Sequence, residues 1–126
     1  MEKIQLFGIP NCSSVKKARI WLEQHGVDHT FHDFKKEGLS EADLDTWLLR
    51  VDWLVLINRK GTTWRGLTEL EQNSIKDRAS ARSAMLARPN LVKRPVLVAG
   101  HQVIVGVNPE AWSAVIGSKQ NIKEST

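Results

Sequence analysis

Cys12 is the one cysteine of the chain, and its neighbours set it where a thiol can react. Lys3-Ile4-Gln5-Leu6-Phe7 reads as a short strand, Gly8-Ile9-Pro10-Asn11 as turn material, and Ser13-Ser14-Val15-Lys16-Lys17-Ala18 as the start of a helix. A thiol at a helix start faces backbone N–H groups that have no intrahelical partner, and it faces the positive end of the helix dipole. Both favour thiolate over thiol. The thiolate is the nucleophile of thiol chemistry, which makes Cys12 the candidate catalytic residue. The plainer alternative is an inert buried thiol. With no second cysteine the chain cannot close an internal disulfide, so a redox cycle at Cys12 needs an external thiol.

Other residue types offer less. His25, His29, His32 and His101 include no pair at i, i+4 on one helix face. His29 and His32 have odd spacing on a strand and point to opposite faces. No zinc or iron pattern follows, and no metal is expected. The five Trp residues stand at unrelated offsets, which suits packing anchors better than a base-stacking set. The net charge of +4 comes from basic residues spread along the chain, so nucleic acid is not an expected partner. Lys16 and Lys17 read as surface residues.

The elements that must position Cys12 follow from periodicity. After the first strand, Val15, Ala18, Leu22 and His25 recur at helical spacing, with Trp21 beside them, over about Ser13 to His25. Gly26 stops that helix. Val27 to Phe34 reads as a second strand with uncertain facing. A strand–helix–strand unit this short implies parallel strands joined by a right-handed crossover. Lys35-Lys36-Glu37-Gly38 reads as a charged turn. Ser40, with Asp43 three residues on, caps a helix carrying Leu44, Trp47, Leu48 and Val51. A short helix or extended piece follows at Trp53 to Ile57, then a polar loop from Asn58 to Gly66. Helices are expected near Glu69–Asp77 and Ser80–Ala87, with Pro89 ending the second. Val96 to Val98 and Gln102 to Val105 form a hairpin around Ala99-Gly100-His101. Asn108-Pro109 starts a last helix, Asn as cap and Pro as first helical residue, with Ala111, Trp112, Val115 and Ile116 on it. Gly117 ends it, and Ser118 to Thr126 reads as a frayed tail.

The length of 126 residues suits one domain with a sizeable core, and 41% hydrophobic and 25% charged residues are those of an ordinary soluble protein. One cysteine and an apolar N-terminal run broken at Gln5 argue against a signal peptide, a membrane span and a disulfide-stapled secreted scaffold. The cytoplasm is the expected location.

The order β-α-β, helical block, β-β-α, with a thiol at the first helix start and Pro95 just before the third strand, resembles a thioredoxin fold. The expected class is α/β: a four-stranded mixed sheet with flanking helices and an inserted all-helical block. Three motifs narrow it. Gly8-Ile9-Pro10-Asn11-Cys12, Asn58-Arg59-Lys60-Gly61-Thr62-Thr63-Trp64-Arg65 and Lys93-Arg94-Pro95-Val96 together resemble the ArsC family of arsenate reductases, Spx regulators and YffB-type proteins. The Gly-Thr-Thr-Trp-Arg segment and His32-Asp33-Phe34-Lys35-Lys36 look most like the YffB-type branch. The resemblance implies a single domain over 1–126, with thioredoxin-like parts at about 1–36 and 90–117 and a helical insertion at about 38–89.

It also implies roles. Cys12 matches the cysteine that attacks arsenate in the reductases, where glutathione attacks the adduct and glutaredoxin resolves the mixed disulfide. Arg94 matches an oxyanion-holding arginine before the cis-proline, here Pro95. A second family arginine falls on Lys60, beside Arg59. A third would lie after the hairpin, but Val103-Ile104-Val105-Gly106-Val107-Asn108 holds none. Bidentate guanidinium forks suit a tetrahedral dianion, so this departure weakens the arsenate reading. The Cys-x-x-Cys switch of many Spx proteins is replaced by Cys12-Ser13-Ser14-Val15. The expectation is a thiol-dependent reductase with catalytic Cys12, thiol- or substrate-binding Arg94, Lys60, Arg59, Asn11 and Pro95, no bound cofactor, and glutathione as co-substrate. A glutaredoxin-like reductant or another protein is a possible partner. The alternatives are a non-enzymatic Spx-like module that binds a transcription partner, and a true arsenate reductase.

Overall fold

The computed structural model describes residues 3–124, with side chains up to Ile116. Backbone contacts divide the chain into two units, Met1–Asp33 with Arg94–Thr126, and Phe34–Lys93.

The first unit is built on β1 (Ile4–Gly8), α1 (Ser13–Gln24), β2 (His29–Asp33), β3 (Val96–Ala99), β4 (Gln102–Val105) and a C-terminal helix (Pro109–Glu124). The sheet order is β2-β1-β3-β4. β1 runs parallel to β2 and antiparallel to β3, which pairs antiparallel with β4. β1 is therefore interior, and all its residues but Gln5 are buried. Leu6 stands opposite Phe31 on one side and Leu97 on the other, and Leu97 opposite Ile104. These side chains share one sheet face, and Ile4 and Ala99 extend it. Against them pack Ala18 and Leu22 of α1 and Trp112, Val115 and Ile116 of the last helix.

α1 follows the expected spacing, with Val15, Ala18 and Leu22 fully buried. Its exit follows too: Gly26 takes φ +64°, and its N–H donates to the Glu23 carbonyl at 3.1 Å. The left-handed region is strained for any residue with a Cβ. Asn108 caps the last helix, its Oδ1 accepting from Ala111 N–H at 3.1 Å.

The second unit holds α2 (Phe34–Glu37), α3 (Glu41–Arg50), α4 (Trp53–Leu56), α5 (Thr62–Arg65), α6 (Glu69–Ser74), α7 (Arg78–Ala87) and a 3-10 turn at Pro89–Leu91; the last helix of the first unit is α8. Most of these short helices start on a side-chain cap: Ser40, Asp52, Thr68 and Asp77 each accept from a first-turn N–H, and those of Thr68 and Asp77 close capping boxes. Leu44, Trp47, Leu56, Ala81, Met85 and Leu91 supply its buried side chains, with Phe34 and Trp47 in tilted ring contact at 6.2 Å. Arg82 on α7 reaches Asp45 at 2.6 Å and Glu41 at 2.9 Å on α3. A β-bridge from Ile57 to Val92 closes the unit, flanked by Asn58 N–H donating to the Leu91 carbonyl and Lys93 N–H to that of Leu56.

Four expectations need correction. The stretch read as the charged turn Lys35–Gly38 is mostly a helical turn, because Phe34 is buried and starts α2. The Asn58–Gly66 loop contains α5. Helix and strand limits shift by a few residues: β2 begins at His29, α6 stops at Ser74 and α7 starts at Arg78, with Asp77 as its cap. Gly117 does not end the last helix, whose backbone continues to Glu124. A lone glycine costs a helix only about 1 kcal/mol. Of the expected tail, Ser125 and Thr126 lie outside the described residues. No helix among the described residues is long and apolar enough to cross a membrane.

Leu6 is fully buried in the centre of the sheet. Leu6→Ala should lower the unfolding free energy by about 2–5 kcal/mol in urea titration, the usual range for a core cavity. Trp112 is also buried, but its Nε1 has no hydrogen-bond partner. Trp112→Phe should cost less than Leu6→Ala, because it removes an unpaired N–H along with the lost volume.

Candidate functional site

Cys12 is the N-cap of α1, with extended backbone (φ −84°, ψ 129°). Its own N–H donates to the Ile9 carbonyl at 3.1 Å, and its carbonyl accepts from Lys16 N–H at 3.0 Å. The turn and the helix thus grip the residue from both sides. The thiol is free and half-buried. It closes no capping hydrogen bond of the kind Ser40 or Thr68 makes.

The electrostatics follow from that position. Burial alone pushes the Cys12 thiol up. The Val15 N–H, a hydrogen bond from the Arg94 side chain, the Ser14 N–H and the Arg94 charge pull it down, and together they hold it below the ordinary thiol value. Donors and cations that meet the charged form stabilise it. Arg94 is half-buried and precedes the buried Pro95 through a cis peptide bond. The Pro95 carbonyl accepts from Gly106 N–H at 2.8 Å, which ties the end of β4 to the start of β3. Gly106 is buried with φ +83°, a conformation that favours glycine.

Of the residues expected at the site, Arg94 is near enough to Cys12 to pull its thiol down, and Pro95 is joined to Arg94. Asn11 is exposed in the turn just before the thiol. Arg59 and Lys60 belong to the helical unit, where both are exposed and Asn58 Oδ1 accepts from Lys60 N–H at 3.0 Å. Three contributors were not named from sequence. Ser14 and Val15 act through backbone N–H groups, and the signal for them is the helix start itself. Gly106 acts through the Pro95 carbonyl, and only its place after a β-branched run hints at it. Among the described residues, no group of three or more His, Cys, Asp or Glu side chains could hold a metal ion. His32, one of the histidines considered as a ligand, stacks on Phe7 at 4.5 Å and meets Gln5 Oε1 at 2.9 Å.

The ArsC family profile matches residues 7–115. An uncharacterised Haemophilus influenzae protein is 37% identical and covers 88% of this chain and 96% of its own length. The global transcriptional regulator Spx of Streptococcus pyogenes is 26% identical over 98% of this chain and 94% of its own. Among solved structures, a protein named YffB superposes with a TM-score of 0.85 at 41% identity, covering 90% of this chain and 98% of its own. An arsenate reductase (ArsC) related protein from Brucella melitensis gives 0.71 at 50% identity, covering 90% and 94%. The sheet is thus that of a thioredoxin-like fold in its ArsC form.

Iodoacetamide reads the thiolate directly, because the chain offers it one thiol. Alkylation of the native protein should set in at lower pH than for a free cysteine, whose pKa is about 8.5. Arg94→Ala should move that onset toward the free value, since it removes both a hydrogen bond and a charge from the sulfur. An unchanged onset in a folded Arg94→Ala protein would remove Arg94 from the site.

Proposed function

The chain belongs to the ArsC family, and on that premise we propose that it is a thiol-dependent reductase working through the single nucleophilic Cys12. The observation that carries this reading is the place of Cys12 as N-cap of α1, where the helix-start N–H groups and Arg94 hold its thiol below the ordinary value. The thiolate attacks an electrophile, such as one sulfur of a disulfide. A new S–S bond forms to Cys12, the old one breaks, and the electron pair leaves on the departing sulfur as thiolate. Arg94 stabilises the charge at the sulfur. The Asn11 turn and the Arg94–Pro95 segment border the ligand.

The second half of the cycle needs a thiol the chain lacks. Glutathione or a glutaredoxin-like protein supplies it by attacking the Cys12 adduct, which returns Cys12 as thiolate. The cytoplasm, with its reduced thiol pool, is the setting that suits such a cycle. Of the oxyanion options, arsenate fits least well, because no arginine stands between Val103 and Asn108 and one family arginine position holds Lys60.

A second reading is an Spx-like module that binds a transcription partner. The observation favouring it is apolar exposure on the helical unit, where Leu49 is 71% exposed and Leu70 81%, alongside the Spx relatives. Isolated exposed leucines are common on soluble proteins, so this observation is the weaker of the two.

Mass spectrometry after incubation with oxidised glutathione tests the first reading. One glutathione adduct should appear, confined to Cys12, absent in Cys12→Ser and removed by reduced glutathione. A native protein that takes up no glutathione while its unfolded form does would overturn the reading. Retention of the protein on purified RNA polymerase, with no thiol transfer, would establish the second one. Arsenate turnover with glutathione and glutaredoxin, abolished in Cys12→Ser, would narrow the substrate.

A further inference from the structure

β1 and α1 pack closely at the end that carries the thiol, where Gly8 faces Val15. Leu6 and Ile4 point from β1 into the same core as Ala18 and Leu22 of α1. Gly8 continues that alternate row at the C-terminal end of β1, and it is buried. Across from it stands Val15, fully buried in the first turns of α1. A Cβ built on Gly8 would lie 2.5 Å from Val15 Cγ2. Real carbon atoms do not approach that closely, and Val15 is β-branched, with little rotamer freedom in a helix. A side chain at position 8 therefore has to push the stiff Val15 side chain aside, and with it the seat of the first turn of α1. The backbone conformation of Gly8 is ordinary, with φ outside the left-handed region. The requirement for glycine here comes from close approach alone.

Val15 is also in the first turn of the helix that Cys12 caps, and its N–H is among the groups that pull the Cys12 thiol down. The same residue thus fixes how close the helix start comes to β1 and supplies a donor to the thiol. We propose that Gly8 is a positioning residue for Cys12: by lacking a side chain it lets Val15 seat against the end of β1, which sets the Ser14 and Val15 N–H groups at the sulfur. This inference rests on the reading of Cys12 as an activated nucleophile. It adds that the activation is set by packing between β1 and α1, one step removed from the sulfur. Gly8 itself touches no substrate in this scheme.

The test compares the pH profile of iodoacetamide alkylation in the native protein, Gly8→Ala, and the double variant Gly8→Ala/Val15→Ala, with circular dichroism to monitor folding. Below its pKa a thiol loses about tenfold in thiolate fraction per unit of upward shift. Gly8→Ala should stay folded yet alkylate about three- to tenfold more slowly at pH 6.5, with its onset moved toward that of a free cysteine. The double variant removes the blocking methyl groups and should regain most of the native rate. A folded Gly8→Ala protein with the native profile overturns the proposal. If Gly8→Ala does not fold, the double variant decides: folding with a native-like profile supports the proposal, and a folded protein whose thiol titrates like free cysteine, or a second failure to fold, overturns it. A native protein whose own onset is that of free cysteine defeats the reading of an activated thiol instead, so the two failures are told apart.

Discussion

The first turn of α1 at the C-terminal end of β1 is the constraint on which the site depends. β1 is the inner strand between a parallel and an antiparallel neighbour, so its direction and register are fixed from both sides. The chain leaves it through a short turn and enters α1 within a few residues. Whatever stands at the helix N-cap is therefore held at a rigid edge of the sheet. Here that residue is a cysteine. Elsewhere in the chain Ser40, Asp52, Thr68 and Asp77 fill N-caps and close hydrogen bonds there. Cys12 closes none. A good cap contributes about 1 kcal/mol, so a thiol at this position trades some helix stability for donors that favour its anion.

The second component of the site comes from far along the sequence. Arg94 enters β3 through Pro95, and Gly106 holds the Pro95 carbonyl from the end of β4. The antiparallel pairing of β1 with β3 brings the C-terminal end of β1 beside the start of β3, with Phe7 opposite Val96. Sheet register thus places a guanidinium next to a thiol more than eighty residues away in sequence. Neither group needs a flexible loop to reach the other. That rigidity matters, because a charge-assisted contact loses value when ordering the partners costs side-chain entropy.

The helical unit is held by different means. Its helices are short, and isolated helices of such length are marginal in water. Caps satisfy their first N–H groups, and buried Leu, Met and Trp side chains supply the apolar contact. The ion pairs of Arg82 with Asp45 and Glu41, and of Arg88 with Glu71, join its helices. They are largely solvent-accessible, so they orient the helices more than they stabilise them.

Local patterning determined much of this protein in advance. The helical spacing of Val15, Ala18 and Leu22, the β-branched hairpin strands, Ser40 as cap and Asn108-Pro109 as helix start were legible because they depend on neighbours a few residues apart. Cys12 was legible for the same reason, since strand, turn and helix start are all local. The readings that failed have separate causes: buried Phe34 draws a charged turn into a helix, α5 forms inside a polar glycine-containing loop although none of its residues is buried, and α8 runs through Gly117 because one glycine costs a helix only about 1 kcal/mol. Arg94 was found through resemblance, not periodicity. Its contact with the sulfur, the Gly106 tie and the fit of Gly8 against Val15 are long-range or steric facts. They exist only once the strands are in register and the helix is seated, because no local propensity encodes how closely two remote backbones approach. The sequence by itself singled out the thiol and the elements that carry it. The tertiary structure decided which groups charge it.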